Sequence, residues 1–188
     1  MSPAGTGSDD HVVTAPGDAW PRAELSPIAR LRTLAGALPS SVLVERTIPD
    51  DFDAVWGYFS DMEQSLPSFD QAVGRFTITE RTGTRLVART RSPRLRIPFT
   101  FDVDLEPGWC WMTARSRVYA VGFAAERVGD QTRFAHLEAY TPPGPSWVRT
   151  ILHRMLRHRH RALDHHVRAD IDGLERAIIR LAPDRAPG

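Results

Sequence analysis

The fold of this chain is decided around one stretch, Thr141-Pro142-Pro143-Gly144-Pro145. Proline lacks the backbone N–H that helices and strands use, so this stretch interrupts regular structure. Before it, about a hundred residues alternate between apolar and polar positions, whereas the residues after it follow a helical spacing. A long helix after a run of strands buries its apolar stripe on one face of their sheet, so we expect an α+β fold.

The strands before this stretch are joined by short turns. The clearest strand covers residues 96–106, where Phe99, Phe101 and Val103 share one face and polar residues alternate with them. Short turns such as Gly129-Asp130 connect antiparallel neighbours. The pattern therefore predicts a curved antiparallel sheet of about six to seven strands that wraps around the C-terminal helix.

Short helices should follow the first strand, which is predicted over residues 41–48. Pro49 ends that strand, and Asp50 is placed to cap the next helix. Apolar residues then recur at the spacing of one helical face, at Phe52, Val55, Trp56 and Phe59. A second short helical turn is expected over residues 61–67.

The C-terminal helix is predicted over residues 146–181. At about 1.5 Å per residue, a helix of that length would extend roughly 50 Å, which exceeds the width of a small domain. We therefore expect a kink or a loop within residues 146–156.

The two ends of the chain are predicted to differ from its middle. Residues 1–24 are rich in Ser, Pro, Gly, Ala and Asp, which predicts a disordered tail. Residues 25–39 should form a short amphipathic helix, residues 40–182 the folded domain and residues 183–188 a second tail. The short helix can pack on the domain, cover a pocket or lie on a membrane surface, and packing on the domain is the default.

The composition excludes some classes of protein. Cys110 is the single cysteine, so an intramolecular disulfide is excluded. No stretch is apolar enough to span a bilayer, and the first residues lack the features of a secretory signal. We therefore expect a cytoplasmic protein that is not transmembrane.

The charged residues say little about a partner. All 24 basic residues are arginine, which a GC-rich coding sequence explains. The formal net charge is only +1, and no nucleic-acid motif is present, so no nucleic-acid partner is expected. Arginines cluster within residues 81–96 and 149–161, which leaves open either an anionic carrier protein as a partner or a solvated face.

Several short motifs carry a resemblance to a known family. Ile48-Pro49, Val55-Trp56 and Ser60-Asp61 resemble the strand-to-helix signature of the START-like superfamily, also called SRPBCC or helix-grip proteins. Within it they are most similar to the polyketide cyclase/dehydrase and lipid-transport group. The turns at residues 105–108 and 129–133 fit the same family.

The resemblance extends over residues 41–181, and its motifs are structural. It implies a helix-grip fold with a deep hydrophobic cavity. The superfamily includes cyclases, hydrolases, lipid carriers and ligand sensors. No motif transfers a catalytic residue to this sequence, and no cofactor is expected.

The strand and helix patterns nominate residues that would line such a cavity. The apolar candidates are Val55, Trp56, Phe59, Phe76, Ile78, Leu86, Phe99, Phe101, Val103, Trp111 and Leu163. His166 and Asp170 are spaced i and i+4 on the C-terminal helix and are the candidate polar groups at the edge of its apolar stripe.

The last strand carries the candidate catalytic residues. Three side chains that could donate or accept protons share one of its faces, at His136, Glu138 and Tyr140. The opposite face carries Arg133, Ala135, Leu137 and Ala139, most of which are small or apolar. The polar face either lines the cavity or faces water while the small face makes room for the helix, and the alternation fits both arrangements.

The histidines do not predict a metal site. Five of the seven lie on the predicted C-terminal helix. Their nearest same-face pairs are seven residues apart, or about 10.5 Å along the axis, which is too far for one ion at normal bond lengths. We therefore expect a solvated polar face and no metal.

The sequence leaves three functions open. The first is a carrier or sensor that binds a hydrophobic or aromatic small molecule, such as a lipid or a polyketide-like compound. The second is an enzyme of the cyclase/dehydrase type that uses acid–base residues in its cavity. The third is an interaction module for an anionic partner. Nothing in the sequence indicates the oligomeric state.

Overall fold

The computed structural model describes residues 24–38, 40–93, 98–140 and 146–181, with side chains from residue 161 onward in the last range. Its elements, in chain order, are α1 Pro27–Ala37, β1 Ser41–Ile48, α2 Phe52–Ser60, α3 Met62–Phe69, β2 Phe76–Thr82, β3 Arg85–Arg91, β4 Pro98–Glu106, β5 Trp109–Ala114, β6 Tyr119–Val128, β7 Gln131–Tyr140 and α4 Ser146–Leu181. The stretch at 141–145, most of both predicted tails and residues 94–97 lie outside the described residues.

The seven strands form one antiparallel sheet in the order β1-β7-β6-β5-β4-β3-β2. Strands β2 to β7 follow one another as a meander, and β1 pairs with the outer edge of β7. The predicted α+β class with a helix packed on an antiparallel sheet is confirmed. The register sets Glu138 of β7 opposite Val121 of β6 and Val42 of β1, which places its side chain near the middle of a three-strand segment.

The inner face of the sheet packs against α2, α3 and α4. Along α4, Leu163, Val167 and Ile171 bury themselves against β1, and the next turns reach the aromatic core. Phe59 of α2 lies at the centre of that core and is fully buried. The curved sheet is thereby filled by helices over much of its inner face.

The break predicted within residues 146–156 is absent, because α4 is one continuous helix of 36 residues. The prediction assumed that a helix cannot be longer than the domain it packs on. A helix satisfies its own backbone hydrogen bonds, so its length is not bounded by the width of the sheet.

Helix α1 packs on the outer face of the sheet, opposite α4. Ile28 and Leu31 are buried against β6 and β7, and Gly122 makes room for them. A Cβ at Gly122 would lie 2.5 Å from Cδ1 of Leu31, so a larger residue would push the helix side chain away. Outside this apolar contact, Arg32 donates two hydrogen bonds of 2.7 and 2.6 Å to Glu45 of β1.

Because α1 covers the outer face, β7 is buried on both sides. Ala135, Leu137 and Ala139 contact α1, whereas His136 and Glu138 point to the inner face. The alternation of β7 therefore separates two buried environments, and the polar side chains lie on the side of α4.

Candidate functional site

A cavity of about 380 Å³ lies between the inner face of the sheet, the end of α3 and α4. Strands β2 to β7 supply most of its wall, because alternate residues of a strand point to the same face. The apolar part of the wall comprises Ala72, Val73, Phe76, Phe99, Phe101, Met112, Val118 and Val121. A volume of this order falls within the usual range for sites that bind small molecules.

The polar part of the wall is formed where three elements meet. Asp70 directly follows α3, Glu138 lies on β7, and His166 lies on α4. Asp170, one helical turn after His166, points to the same place. Tyr119, Thr90, Ser92 and Tyr140 complete the polar wall.

His166 is the centre of this polar group. Its Nε2 atom lies 3.4 Å from Oε1 of Glu138, 3.5 Å from Oδ2 of Asp170 and 3.8 Å from Oδ1 of Asp70. Glu138 and Asp170 are almost completely buried, whereas the side chain of His166 is 27% exposed. Solvent or a bound molecule therefore reaches the group through His166.

Burial sets the protonation of the three carboxyl groups. Desolvation raises the pKa of Glu138 to about 8; the Tyr119 hydroxyl acts against this rise and Asp70 adds to it. Desolvation, with the nearby Asp70 and Glu138, raises the pKa of Asp170 to about 9. Desolvation also raises the pKa of Asp70, which His166 and two backbone N–H groups partly offset. Three acids in one dry site thus oppose one another's ionisation.

His136 is more deeply buried than His166. Its ring stacks on Phe123 with centroids 4.3 Å apart, and its side chain is 1% exposed. Desolvation, together with the charge of His166, lowers the pKa of His136 to about 3. The imidazole is therefore neutral near pH 7, and its Nε2 atom lies 3.7 Å from Oε1 of Glu138.

The structure brings part of the predicted site together. Of the residues nominated from the sequence, those on the cavity wall are Phe76, Phe99, Phe101, Glu138, Tyr140 and His166. Tyr140 is 37% exposed, which places it at the rim. His136 is buried behind the wall. Asp170 is not part of the wall, but it lies 3.5 Å from His166, which is.

Other nominated residues lie in the packed core. Those whose side chains pack there are Val55, Trp56, Phe59, Ile78, Leu86 and Val103. Leu163 lies elsewhere on α4, against Val42 and Val44 of β1. An apolar periodicity marks a buried face, but it does not separate the part of that face that packs from the part that borders an empty space.

Trp111 was predicted to line the cavity, but it lies on the opposite face of the sheet. Alternation along β5 directs Cys110 and Met112 inward and directs Trp109 and Trp111 outward. The two indole rings stack there at a centroid distance of 6.3 Å, next to α1. Both faces of β5 carry apolar residues, so hydrophobicity alone does not reveal which of them faces inward.

Several residues of the cavity wall were not predicted from the sequence, among them Met112, Val121 and Asp70. Met112 and Val121 line the cavity and would have followed from the correct phase of β5 and β6. Asp70 had no usable signal, because it follows a short helix and is 68 positions from Glu138 in sequence. Its partners become apparent only when three distant elements are placed together.

Comparison with known proteins identifies the fold. No family model and no curated protein sequence matches this chain. Among solved structures, TTHA0849 from Thermus thermophilus superposes with a TM-score of 0.59 at 18% identity, covering 76% of this chain and 99% of that one. The Zhui aromatase/cyclase from Streptomyces sp. R1128 gives 0.52 at 16% identity, covering 79% and 98%.

A third structure, the KanY protein, gives a TM-score of 0.58 at 12% identity, covering 74% of this chain and 97% of that one. The chain therefore has the helix-grip fold that the motifs predicted. At these identities the likeness establishes the fold alone. Among the described residues, no helix is long and apolar enough to cross a membrane.

Proposed function

We propose that this protein binds a small hydrophobic or aromatic molecule, lipid-like or polyketide-like, in the cavity between its sheet and α4, as a carrier or a sensor. The observation that carries the proposal is the cavity of about 380 Å³, whose wall is mostly apolar and carries a few polar groups. Sites of this composition hold the apolar body of a ligand by burial and fix its orientation through a few polar groups.

The chemistry of the wall describes the ligand further. The rings of Phe99 and Phe101 lie 6.2 Å apart on β4 and offer faces and edges to an aromatic ligand. The Thr90 hydroxyl is buried on the wall without a hydrogen-bond partner among the described residues. A ligand with one hydroxyl or carbonyl oxygen near Thr90 would satisfy that group, so a mostly apolar molecule with a few oxygens fits best.

The test is a fluorescence titration with N-phenyl-1-naphthylamine, a neutral aromatic probe that brightens in apolar surroundings. The wild-type chain should bind the probe saturably. Val121→Phe replaces a small aliphatic side chain on the cavity wall by a phenyl ring that fills part of the cavity. It should weaken binding by about tenfold or more, a loss of about 1.4 kcal/mol. Val128→Phe makes the same change at an exposed position of the same strand and should leave the affinity unchanged.

Equal affinity in the Val121→Phe and Val128→Phe proteins would refute binding in this cavity. If Val121→Phe does not fold, Val121→Leu gives a milder reduction of the same space, and its effect should have the same direction.

A second function, a cyclase/dehydrase-type enzyme, is favoured by one observation. A carboxyl group and an imidazole, Glu138 and His166, lie together on the wall of an otherwise apolar cavity. General acid–base catalysis requires such groups within reach of the substrate and contributes about 10²–10⁴-fold in rate. The structural similarity to the Zhui aromatase/cyclase supports keeping this function open.

The two functions can be separated by product analysis with a poly-β-ketone model compound. For an enzyme, Glu138→Gln should abolish product formation while probe affinity changes by less than about tenfold, as expected for a general acid–base group. For a carrier, no variant and no wild-type sample yields a product.

A further inference from the structure

The polar end of the cavity has the geometry of a metal-binding site. Four side chains each offer one possible ligand atom here, and these four atoms all lie within 4.8 Å of one another. The residues are Asp70, Glu138, His166 and Asp170. We refer to these four residues as the quartet. They come from the end of α3, from β7 and from two successive turns of α4, so packed elements hold them in place.

The distances within the quartet are poorly suited to hydrogen bonds. Nε2 of His166 is 3.4 to 3.8 Å from a carboxyl oxygen of each acid, whereas N–H···O hydrogen bonds are normally about 2.7–3.2 Å long. Four ligands about 2.0–2.1 Å from a tetrahedral ion lie about 3.3–3.4 Å from one another. The distances from His166 to Glu138 and Asp170, 3.4 and 3.5 Å, are close to the second value, and all four atoms lie within 4.8 Å of one another.

The atoms of the quartet differ in their other partners, and Oδ1 of Asp70 accepts a 2.7 Å hydrogen bond from the backbone N–H of Ala72. Among the described residues, Oδ2 of Asp170 is buried without a hydrogen-bond partner. The two carboxyl oxygens of Glu138 have no partner of good geometry, although the Tyr119 hydroxyl is close enough to interact with them. Glu138 is only 1% exposed. Buried polar groups in native proteins are nearly always satisfied by a protein group, a water molecule or an ion. An ion at the centre would satisfy these oxygens together.

We propose that the quartet binds one divalent transition-metal ion at the inner end of the cavity. Without a cation, burial favours the neutral, protonated form of these acids, because three charged carboxylates would repel one another in a medium of low dielectric constant. A divalent ion would displace the protons and offset that repulsion. The ion would face a bound molecule, because Asp70, Glu138 and His166 belong to the cavity wall. This site does not depend on the proposed binding function.

The ligand types restrict the metal. Imidazole favours zinc, iron and related ions, and carboxylate oxygens favour manganese as well as the alkaline-earth ions. One imidazole with three carboxylates therefore selects Zn²⁺, Fe²⁺ or Mn²⁺ over Ca²⁺, which takes six to eight oxygen ligands. Without a thiolate in the quartet, the site is not suited to Cu(I).

No metal was predicted from the sequence, because the histidine pairs on one helix are too far apart to share an ion. The quartet uses one histidine, and two of its carboxylates come from outside α4. Spacing along one element cannot detect a site that is assembled from three.

The experiment uses the full chain without an affinity tag, stripped of metal with a chelator and dialysed. Zn²⁺ and Mn²⁺ are titrated by calorimetry, and Co²⁺ is titrated by visible absorption, which reports its coordination. The proposal predicts one bound ion per chain. His166→Ala and Glu138→Gln should each weaken binding by at least tenfold, since even the loss of an outer-shell partner costs about 10–100-fold.

The matched control is His165→Ala, which removes a neighbouring exposed imidazole that is outside the quartet. It should retain wild-type affinity. His166 is 27% exposed, so its replacement leaves the core intact, and circular dichroism of each variant checks the fold. The absence of one-to-one binding in the wild-type chain would overturn the proposal. Equal weakening by His165→Ala and His166→Ala would also overturn it, because the ion would then be bound by the histidine-rich surface.

Discussion

Replacing Phe59 by alanine should lower the free energy of unfolding by about 3–5 kcal/mol, the usual cost of deleting a buried phenyl ring. Phe59 is fully buried where α2 meets the sheet. Four aromatic rings surround it at centroid distances of 4.6 to 6.4 Å, from Phe123, Trp56, Phe134 and Phe69. The cavity left by the missing ring would border four other aromatic rings, so a small movement of any one of them could not fill it.

The measurement is equilibrium unfolding in urea, followed by tryptophan fluorescence and circular dichroism. Phe52→Ala is the control, because it makes the same substitution in the same helix at a partly buried position. It should cost clearly less than Phe59→Ala. Equal losses would mean that α2 does not present Phe59 to the core, and the packing of α2 on the sheet would be wrong.

Replacing Leu31 by alanine should lower the free energy of unfolding by about 2–5 kcal/mol. Leu31 is the fully buried contact of α1 with the outer face of the sheet, against Gly122. The neighbouring Ile28 is also buried, and its backbone N–H donates a 2.7 Å hydrogen bond to Glu126. A helix held in this way should unfold together with the domain.

Leu25→Ala is the matched control, because Leu25 precedes the same helix and is 47% exposed. Surface substitutions of this kind usually change stability by less than about 0.5 kcal/mol. A near-neutral Leu31→Ala would show that α1 leaves the sheet in solution. The helix would then be better explained as a cover for the pocket or as a helix that lies on a membrane surface.

The alternation of the strands made the sheet predictable, and the spacing of the helices made their faces predictable. The pattern of β4 and the i, i+3, i+4, i+7 spacing of α2 describe a local period, which each segment carries by itself. The side of β7 that faces α4 was not predictable, because the alternate residues Ala135, Leu137 and Ala139 pack beneath α1. A strand buried on both faces has no apolar side that marks its orientation.

The site was less predictable than the fold for the same reason. His166 and Glu138 were nominated from local patterns, and both lie on the cavity wall. Asp70 was not, because its role depends on the packing of α3 against α4, which no local pattern encodes. Trp111 was nominated as an aromatic residue of the sheet interior, but the phase of β5 turns it to α1.

The most direct test of the proposed binding function is a methyl NMR titration of the methyl-¹³C-methionine protein with N-phenyl-1-naphthylamine. Met112 lines the cavity, whereas Met62 is buried in the core and is not part of the wall, so it serves as an internal reference. Met112→Leu and Met62→Leu assign the two signals. We expect a saturable shift of the Met112 signal, with a much smaller change at Met62. A probe that binds without moving the Met112 signal, or that does not bind at all, would contradict the proposed binding function.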